Sequence, residues 1–560
     1  MKFHSTTNDN SSDATEKTKE ANRNILTELP LYDKEDFEDA MRGFIAKPEK
    51  LVIYDDHGQN VWDMETYSFI DSDTCPDTVN PSLWRHAQLN TKYGLFRVTD
   101  HIYQVRGYDV SNITFIEGKT GWIVIDPLIS VECAKAALEL VNDNLGKRPV
   151  IAVIYSHSHA DHFGGVKGVV SEKDVRAGHV QIIAPQGFMY YAISENLVAG
   201  NAMARRAVYM FGAHLEKGPK GQVDSGIGKT KSNGYISLIA PTHTIMKTGE
   251  EMTVDGVKMI FQYTPGTEAP VEMNTFFPDF HALWMAENCN HNMHNIYTPR
   301  GAEVRDAKAW SDFIEEAIEL YGDESDVVFL SHHWPRWGRE KVIDFMAKQR
   351  DMYKYIHDQT MRLANEGYTP LEIAEMLEMP DSLKKEWYCR GYYGTLSHNV
   401  KAVYQKYLGW YDGNPANLNP LPPEESAKLF VEFMGGPEAV IAKAREYYEK
   451  GHYRWVAQVM NHVVFACPDN MEARKLEANA FTQLGYQAES GVWRNVYLVG
   501  ARELREGTHK DRQAKPDNYD LVKAMTVNMF FDYLGVTLNG PKAEGKTIVG
   551  YFCPTPRKGR

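Results

Sequence analysis

Cysteine is scarce in this chain: there are six among 560 residues, at positions 75, 133, 289, 389, 467 and 553, and no two form a Cys-x-x-Cys pair. That excludes a disulfide scaffold. Long apolar runs are missing too. None approaches the roughly 18 residues needed to cross a bilayer, so no transmembrane segment is expected. Nor is there an excess of positive charge: 75 acidic side chains outnumber 61 basic ones, for a formal net charge of −14. A protein built to coat nucleic acid is excluded on that ground. The opening stretch MKFHSTTNDNSSDATEKTKE has no apolar core of the secretory type, so the expected compartment is cytoplasmic and reducing. What is present is core-forming material, 43% hydrophobic and 12% aromatic residues. That is enough to rule out wholesale disorder. The length suits three or four domains on the rough prior of 100–200 residues each.

Residues 1–25, rich in Ser, Thr, Asn, Asp and Lys, read as a solvated polar tail. From 93 to 126 the segments YGLFRVTDHIYQVRG, SNITFIEG and GWIVIDP read as successive strands. Their passage from alternating to continuously apolar is expected for an edge-to-centre progression in one sheet. Residues 131–146 have helical spacing and a closing glycine, and RPVIAVIYSHSH returns to a buried strand. Interleaving of this kind continues to VVFLSHHW and predicts a layered α/β domain over 26–380. A helical domain is expected over 381–515. In it, YDGNPANLNPLPPEE is a connector and ACPDN turns between paired helices. Residues 516–560 are too few for an independent core.

The sharpest feature is His157-Ser158-His159-Ala160-Asp161-His162, followed by Phe163-Gly164-Gly165, directly after the buried strand PVIAVIY. Imidazoles at i and i+2 share one face of an extended segment, and the Asp–His pair in the next turn addresses a second ion. The glycines let the following turn tighten against the site. Imidazole with carboxylate favours zinc, although manganese or iron uses the same donors.

This hexad resembles that of the metallo-β-lactamase superfamily. The segments TPGTEAPVEMNTFFP, MAENCNHNMHNIYTPRGAEVRDAKAW and LSHHWPRWG closely resemble the type III linear alkylsulfatases of that superfamily. RGYYGTLSHN and YLGWYDGNPANLNPLPP are similar to that family's dimerisation domain, so the resemblance runs from about residue 90 onward. It implies an αββα sandwich, an all-α dimerisation domain and an opening portion of an α+β sterol-carrier-like domain, cut short here. It also implies a homodimer acting on alkyl sulfates. Two zinc ions per subunit are implied, one held by His157, His159 and Glu268 and the other by Asp161, His162 and a histidine of SHHW, with Glu287 bridging. His332 is preferred over His333 because the superfamily's last ligand follows its strand directly. His291 and His294 have ligand-like spacing of their own, and read as outer partners or ordinary loop residues.

Two Zn²⁺ against three carboxylates and a bridging hydroxide leave the centre near neutral, so capture of an anionic ester needs a further cation. Arg300 is the candidate, with Asn295 as an amide donor beside it and Arg305 and Tyr235 as weaker additions. Attack at sulfur and attack at carbon both remain open. The segment 190–212, with Met203 and Met210, reads either as the wall of an apolar channel or as a core helix. Two other readings stand beside hydrolysis of alkyl sulfates. One is a different hydrolase on the same scaffold, for a thioester or phosphodiester; the other is a non-catalytic lipid-binding module.

Overall fold

A computed structural model describes residues 12–508, 519–547 and 549. The basic, proline-containing end YFCPTPRKGR and residues 1–11 of the expected polar tail lie outside these. Two sheets face one another. The first runs in the order Phe44–Ala46, Gly94–Arg97, Ile102–Arg106, Ile113–Glu117, Trp122–Ile125, Val150–Ile154, Gln181–Pro185, His243–Ile245. Its neighbours are antiparallel as far as Trp122–Ile125 and parallel beyond it. The expected edge-to-centre run over 93–126 is thus four consecutive strands of this sheet. The second sheet holds Glu250–Val254, Val257–Tyr263, Met273–Phe277, Ala282–Trp284, Val327–Phe329 and Arg336–Trp337.

Strand periodicity assigns the faces. In Trp122–Ile125, Ile123 and Ile125 join the core between the sheets, whereas Trp122 and Val124 face the helical layer outside. The second sheet divides likewise: Ala282 and Trp284 point inward, Leu283 outward. Helix Val131–Leu145 covers the first sheet with Cys133, Ala134, Ala137 and Val141. It ends on Gly146 at φ 95°, a conformation that favours glycine. Helices Ala307–Tyr321 and Arg339–Asn365 cover the second sheet through Trp310, Ile314, Phe345 and Tyr353. The order is helix, sheet, sheet, helix, in agreement with the expected sandwich.

Leu383, Tyr388, Cys389, Ala402 and Val403 share the core outside the second sheet, so packing runs straight through the boundary expected at residue 380. Beyond the connector, helices Pro423–Phe433, Pro437–Glu449, Tyr453–Ala466 and Met471–Gln487 build a core of their own around Val456, Met460 and Leu476. One side chain fastens this helical half to the sandwich. Arg494, fully buried, donates to the carbonyls of Thr78 (2.7 Å), Pro219 (2.6 Å) and Gly221 (3.0 Å).

The N-terminal expectation needs correction. Residues Glu16–Glu28 form a helix, capped by the Thr15 hydroxyl, and are not a solvated tail. Thr18 donates to Gln483 at 2.8 Å, and Asn22 donates to the carbonyls of Asp77 and Tyr486. The helix docks through hydrogen-bonded polar side chains at i and i+4. A polar composition was therefore no guide to exposure. At the other end, the described residues from 519 onward are helical, in Tyr519–Ala524, Val527–Thr537 and Gly540–Ala543. Asp520 is buried there and takes an ion pair from Lys167 at 2.7 Å.

Candidate active site

The first sheet delivers the histidine hexad. Strand Val150–Ile154 ends deep in the sandwich, and Ala160–His162 turns as a single 3-10 loop beyond it. Gly164 and Gly165 make this possible. A Cβ on either would stand 2.2 Å from the Ile129 carbonyl or 2.1 Å from the Pro127 carbonyl, so no other residue lets the turn lie this close. The second sheet brings Glu268 on the loop before Met273–Phe277, Glu287 after Ala282–Trp284, and His332 after Val327–Phe329.

These seven side chains converge as two groups. In the first, the Glu268 Oε2 atom lies 3.2 Å from His157 Nε2 and 3.0 Å from His159 Nδ1. In the second, Asp161 Oδ2 lies 3.2 Å from His162 Nε2 and 3.6 Å from His332 Nε2. Glu287 touches both, at 3.4 Å from His157, 3.3 Å from His162 and 3.2 Å from His332. Within each of the groups His157, His159, Glu268, Glu287 and Asp161, His162, His332, one donor atom per residue lies within 4.8 Å of the others. Three buried atoms at the centre, His162 Nε2, His332 Nε2 and Glu268 Oε2, have no hydrogen-bond partner among the described residues. Orphaned acceptors of this kind are costly in a dry interior unless a cation engages them, so the donor set fits divalent metal ions. Burial opposes ionisation of the Glu287 carboxyl, but His332, His162 and His294 together hold it well below the usual carboxylate range.

Outer partners fix the rings. His332 Nδ1 donates to the carbonyls of Val110 and Ile227, both at 2.9 Å, which leaves Nε2 as the lone-pair atom facing the centre. Asp126 accepts from His162 Nδ1 at 2.7 Å and also holds Ser156 and Ser331. Glu272 accepts from the Glu287 amide and the Thr267 hydroxyl, which locks the two loops together. Of the two histidines in SHHW, His332 faces the donor groups and His333 does not. His333 sits at φ 64° with its ring turned to Gly226 and the His291 amide, away from the centre. His294 reaches Glu287 Oε1 at 3.0 Å, beside the donor set, whereas His291 packs against Trp334 and Phe345.

A pocket opens over the centre. Its lining combines polar side chains, His159, Asp161, Glu268, Glu287, Arg300, Arg305, Lys231 and Glu195, with apolar ones, Val110, Ile129, Met203, Ala207, Phe211, Ile227, Ile236 and Leu521. Arg300 is here as expected, paired to Glu195 at 2.6 Å. Asn295 is buried and not among the lining residues, and its Nδ2 has no hydrogen-bond partner among the described residues. Arg305 is a buried fork: it donates to the Glu268 carboxylate and carbonyl and, at 2.6 Å, to the Asn295 carbonyl. Its partner is thus Glu268, while Asp306 caps the following helix. Tyr235 must be corrected. It does not line the pocket; its hydroxyl donates to Asp520 at 3.0 Å, because the buried carboxylate needs partners. The segment 190–212 divides between its two readings, for Met203 lines the pocket and Met210 is fully buried in packing.

Sequence reasoning did not single out Asp126, Glu272, Glu195 or Lys231. Asp126 carried a usable signal, a carboxylate directly at the end of the buried strand GWIVIDP. Glu195 is the lone acid in an apolar helix, Phe188–Leu197. Nothing local marked Lys231.

Three family models match the chain: the metallo-beta-lactamase superfamily over residues 106–332, alkyl sulfatase dimerisation over 369–507, and alkyl sulfatase C-terminal over 515–555. The chain is 54% identical to the alkyl/aryl-sulfatase BDS1 of Saccharomyces cerevisiae, across 96% of this chain and 83% of that protein. It is 52% identical to a linear primary-alkylsulfatase of Pseudomonas sp., across 96% and 80%. Among solved structures it superposes on the stereoselective inverting sec-alkylsulfatase Pisa1 from Pseudomonas sp. with a TM-score of 0.93. There the identity is 49%, with 95% of this chain and 84% of that one covered. The sandwich, the convergent donors and these likenesses along nearly the whole length agree, and the chain belongs to the alkylsulfatase family of the metallo-β-lactamase superfamily.

Proposed function

We propose that this protein hydrolyses linear alkyl sulfate esters to an alcohol and inorganic sulfate, using two zinc ions per subunit. The observation that carries the reading is a single pocket lined by metal donors, with Glu287 touching both groups of them, by cationic side chains and by apolar side chains. His157, His159 and Glu268 would hold one ion, Asp161, His162 and His332 the other, with Glu287 serving both. When bound, such a pair supplies Lewis acidity and makes water a competent nucleophile near neutral pH.

The chain's own residues do the rest. Arg300 and the free amide of Asn295 bind and orient the sulfate, so its charge is met where it develops. Arg305 holds Glu268 in place and leaves its Oε2 atom toward the centre. Met203, Ala207, Phe211 and Leu521 receive the alkyl chain and exclude water from the ester. One relative is named for primary and another for secondary alkyl sulfates, which supports the substrate class and leaves branching open.

Homodimerisation is part of the proposal. Trp410, Leu429 and Phe433, the last 92% exposed, lie within the segment matched by the dimerisation model. Apolar side chains this open call for a protein partner. No helix among the described residues is long and apolar enough to cross a membrane. The five described cysteines are all unpaired, which suits a cytoplasmic, reducing compartment.

The test is release of inorganic sulfate from dodecyl sulfate by the purified protein, before and after chelation. Turnover should vanish with the chelator and return with added zinc. Retention of turnover in protein shown by elemental analysis to be metal-free would defeat the proposal.

A further inference from the structure

Three cations line the pocket, and their commitments differ. Arg300 is tied to Glu195 at 2.6 Å. Arg305 spends its fork on Glu268 and on the Asn295 carbonyl. Lys231 has no carboxylate within ion-pair distance and no hydrogen-bond partner among the described residues, although it lines the same pocket. The acid nearest to it in charge terms, Asp109, is already occupied. That carboxylate accepts from the Ser232 amide (2.9 Å) and hydroxyl (2.6 Å), the Val110 amide (2.8 Å) and the Ile129 amide (3.2 Å).

The side chain is half-buried and its ammonium carries no countercharge beside it. Burial, and after it the neighbouring charge of Arg300, push the Lys231 pKa down, while Asp109 offsets this only in part. Two like charges lining one concave pocket favour an anion between them. The donor groups around Glu287 cannot supply that anion, since their carboxylates are engaged by imidazoles and by Arg305.

Resting on the proposed alkylsulfatase reading, we propose that Lys231 is a substrate-binding residue, whose ammonium contacts the sulfate group of the ester together with Arg300. The two cations divide the work. Arg300, pinned by Glu195, sets direction with a fixed planar fork, and Lys231 supplies uncompensated charge that draws the anion in. Glu195 acts with them as a positioning residue, because it fixes which guanidinium hydrogens remain for the ester.

The experiment uses the zinc-loaded full chain carrying Lys231→Met, Lys231→Gln or Lys231→Arg. Loss of one charge-assisted contact should raise KM for dodecyl sulfate about tenfold or more in the Met and Gln variants, with a smaller change in kcat. Competitive inhibition by inorganic sulfate should weaken in parallel, metal content should stay unchanged, and Lys231→Arg should recover most of the affinity. A KM and a sulfate inhibition constant within twofold of the parent would overturn the proposal. So would a loss that follows reduced metal content and is not rescued by Arg. Should the parent protein turn over no alkyl sulfate, the functional reading fails. Calorimetric titration of inorganic sulfate into parent and Lys231→Met protein then tests the lysine by itself: equal affinity refutes the contact, and weakened affinity upholds it.

Discussion

The metal-donor side chains and the apolar lining of the pocket are built on different plans. The donors are held by partner side chains brought in from other loops and strands. His162 is held by Asp126, Glu268 by Arg305, and Glu287 by an amide hydrogen bond to Glu272. The apolar lining is assembled from segments far apart in the chain. Met203 comes from helix Gly200–Met210, Ile236 from an irregular stretch, and Leu521 from helix Tyr519–Ala524. The first plan gives fixed geometry, as chemistry at a reacting atom demands. The second gives a surface that can change residue by residue without disturbing the centre.

Removing Arg305 should be the most damaging way to challenge this contrast. Arg305→Met leaves the Glu268 carboxylate buried without its cation, and a stripped ion pair of this kind costs about 3–5 kcal/mol. Denaturant melts of metal-free parent and variant measure it. A loss below about 1 kcal/mol would mean that Glu268 is not held as rigidly as the contrast requires. Next comes Asp126→Ala, which frees the His162 ring to turn. Metal affinity or activity should fall by about 10–100-fold, with partial recovery in Asp126→Asn. Calorimetric zinc titration is the readout, and an unchanged affinity would show the ring to be fixed by packing alone. Least severe is Leu521→Ala in the apolar lining. It should shift the ratio of kcat/KM for dodecyl and octyl sulfate by about three- to tenfold while metal content stays the same. A fall in metal content there would erase the distinction between donors and lining.

How much of this was legible beforehand follows the same division. The hexad could be read because its donors are contiguous and follow a strand whose apolar run is unmistakable. Glu268 and Glu287 had no such local mark, and came only from resemblance across the segments around them. Asp126 and Glu195 stayed hidden because each acts through a partner distant in sequence, and single-residue chemistry does not reveal pairing; Lys231 stayed hidden because only the folded pocket brings it near the centre. Tyr235 shows the opposite error. A tyrosine in the right neighbourhood was assigned to the anion, when a buried aspartate 285 residues away had the stronger call on its hydroxyl. Sheet and helix placement was easier, since periods of 2 and 3.6 record which face is covered. Helix Glu16–Glu28 escaped for the same reason that it docks, by hydrogen bonds and not by an apolar stripe.

That helix has a consequence for how the molecule comes into being. Thr18 finds its acceptor 465 residues further along, at Gln483. A nascent chain emerging from the ribosome therefore carries this stretch unsatisfied until nearly all of the sandwich and most of the helical half have been synthesised. Its docking belongs among the last events of maturation, after the long-range closures that make such topologies slow.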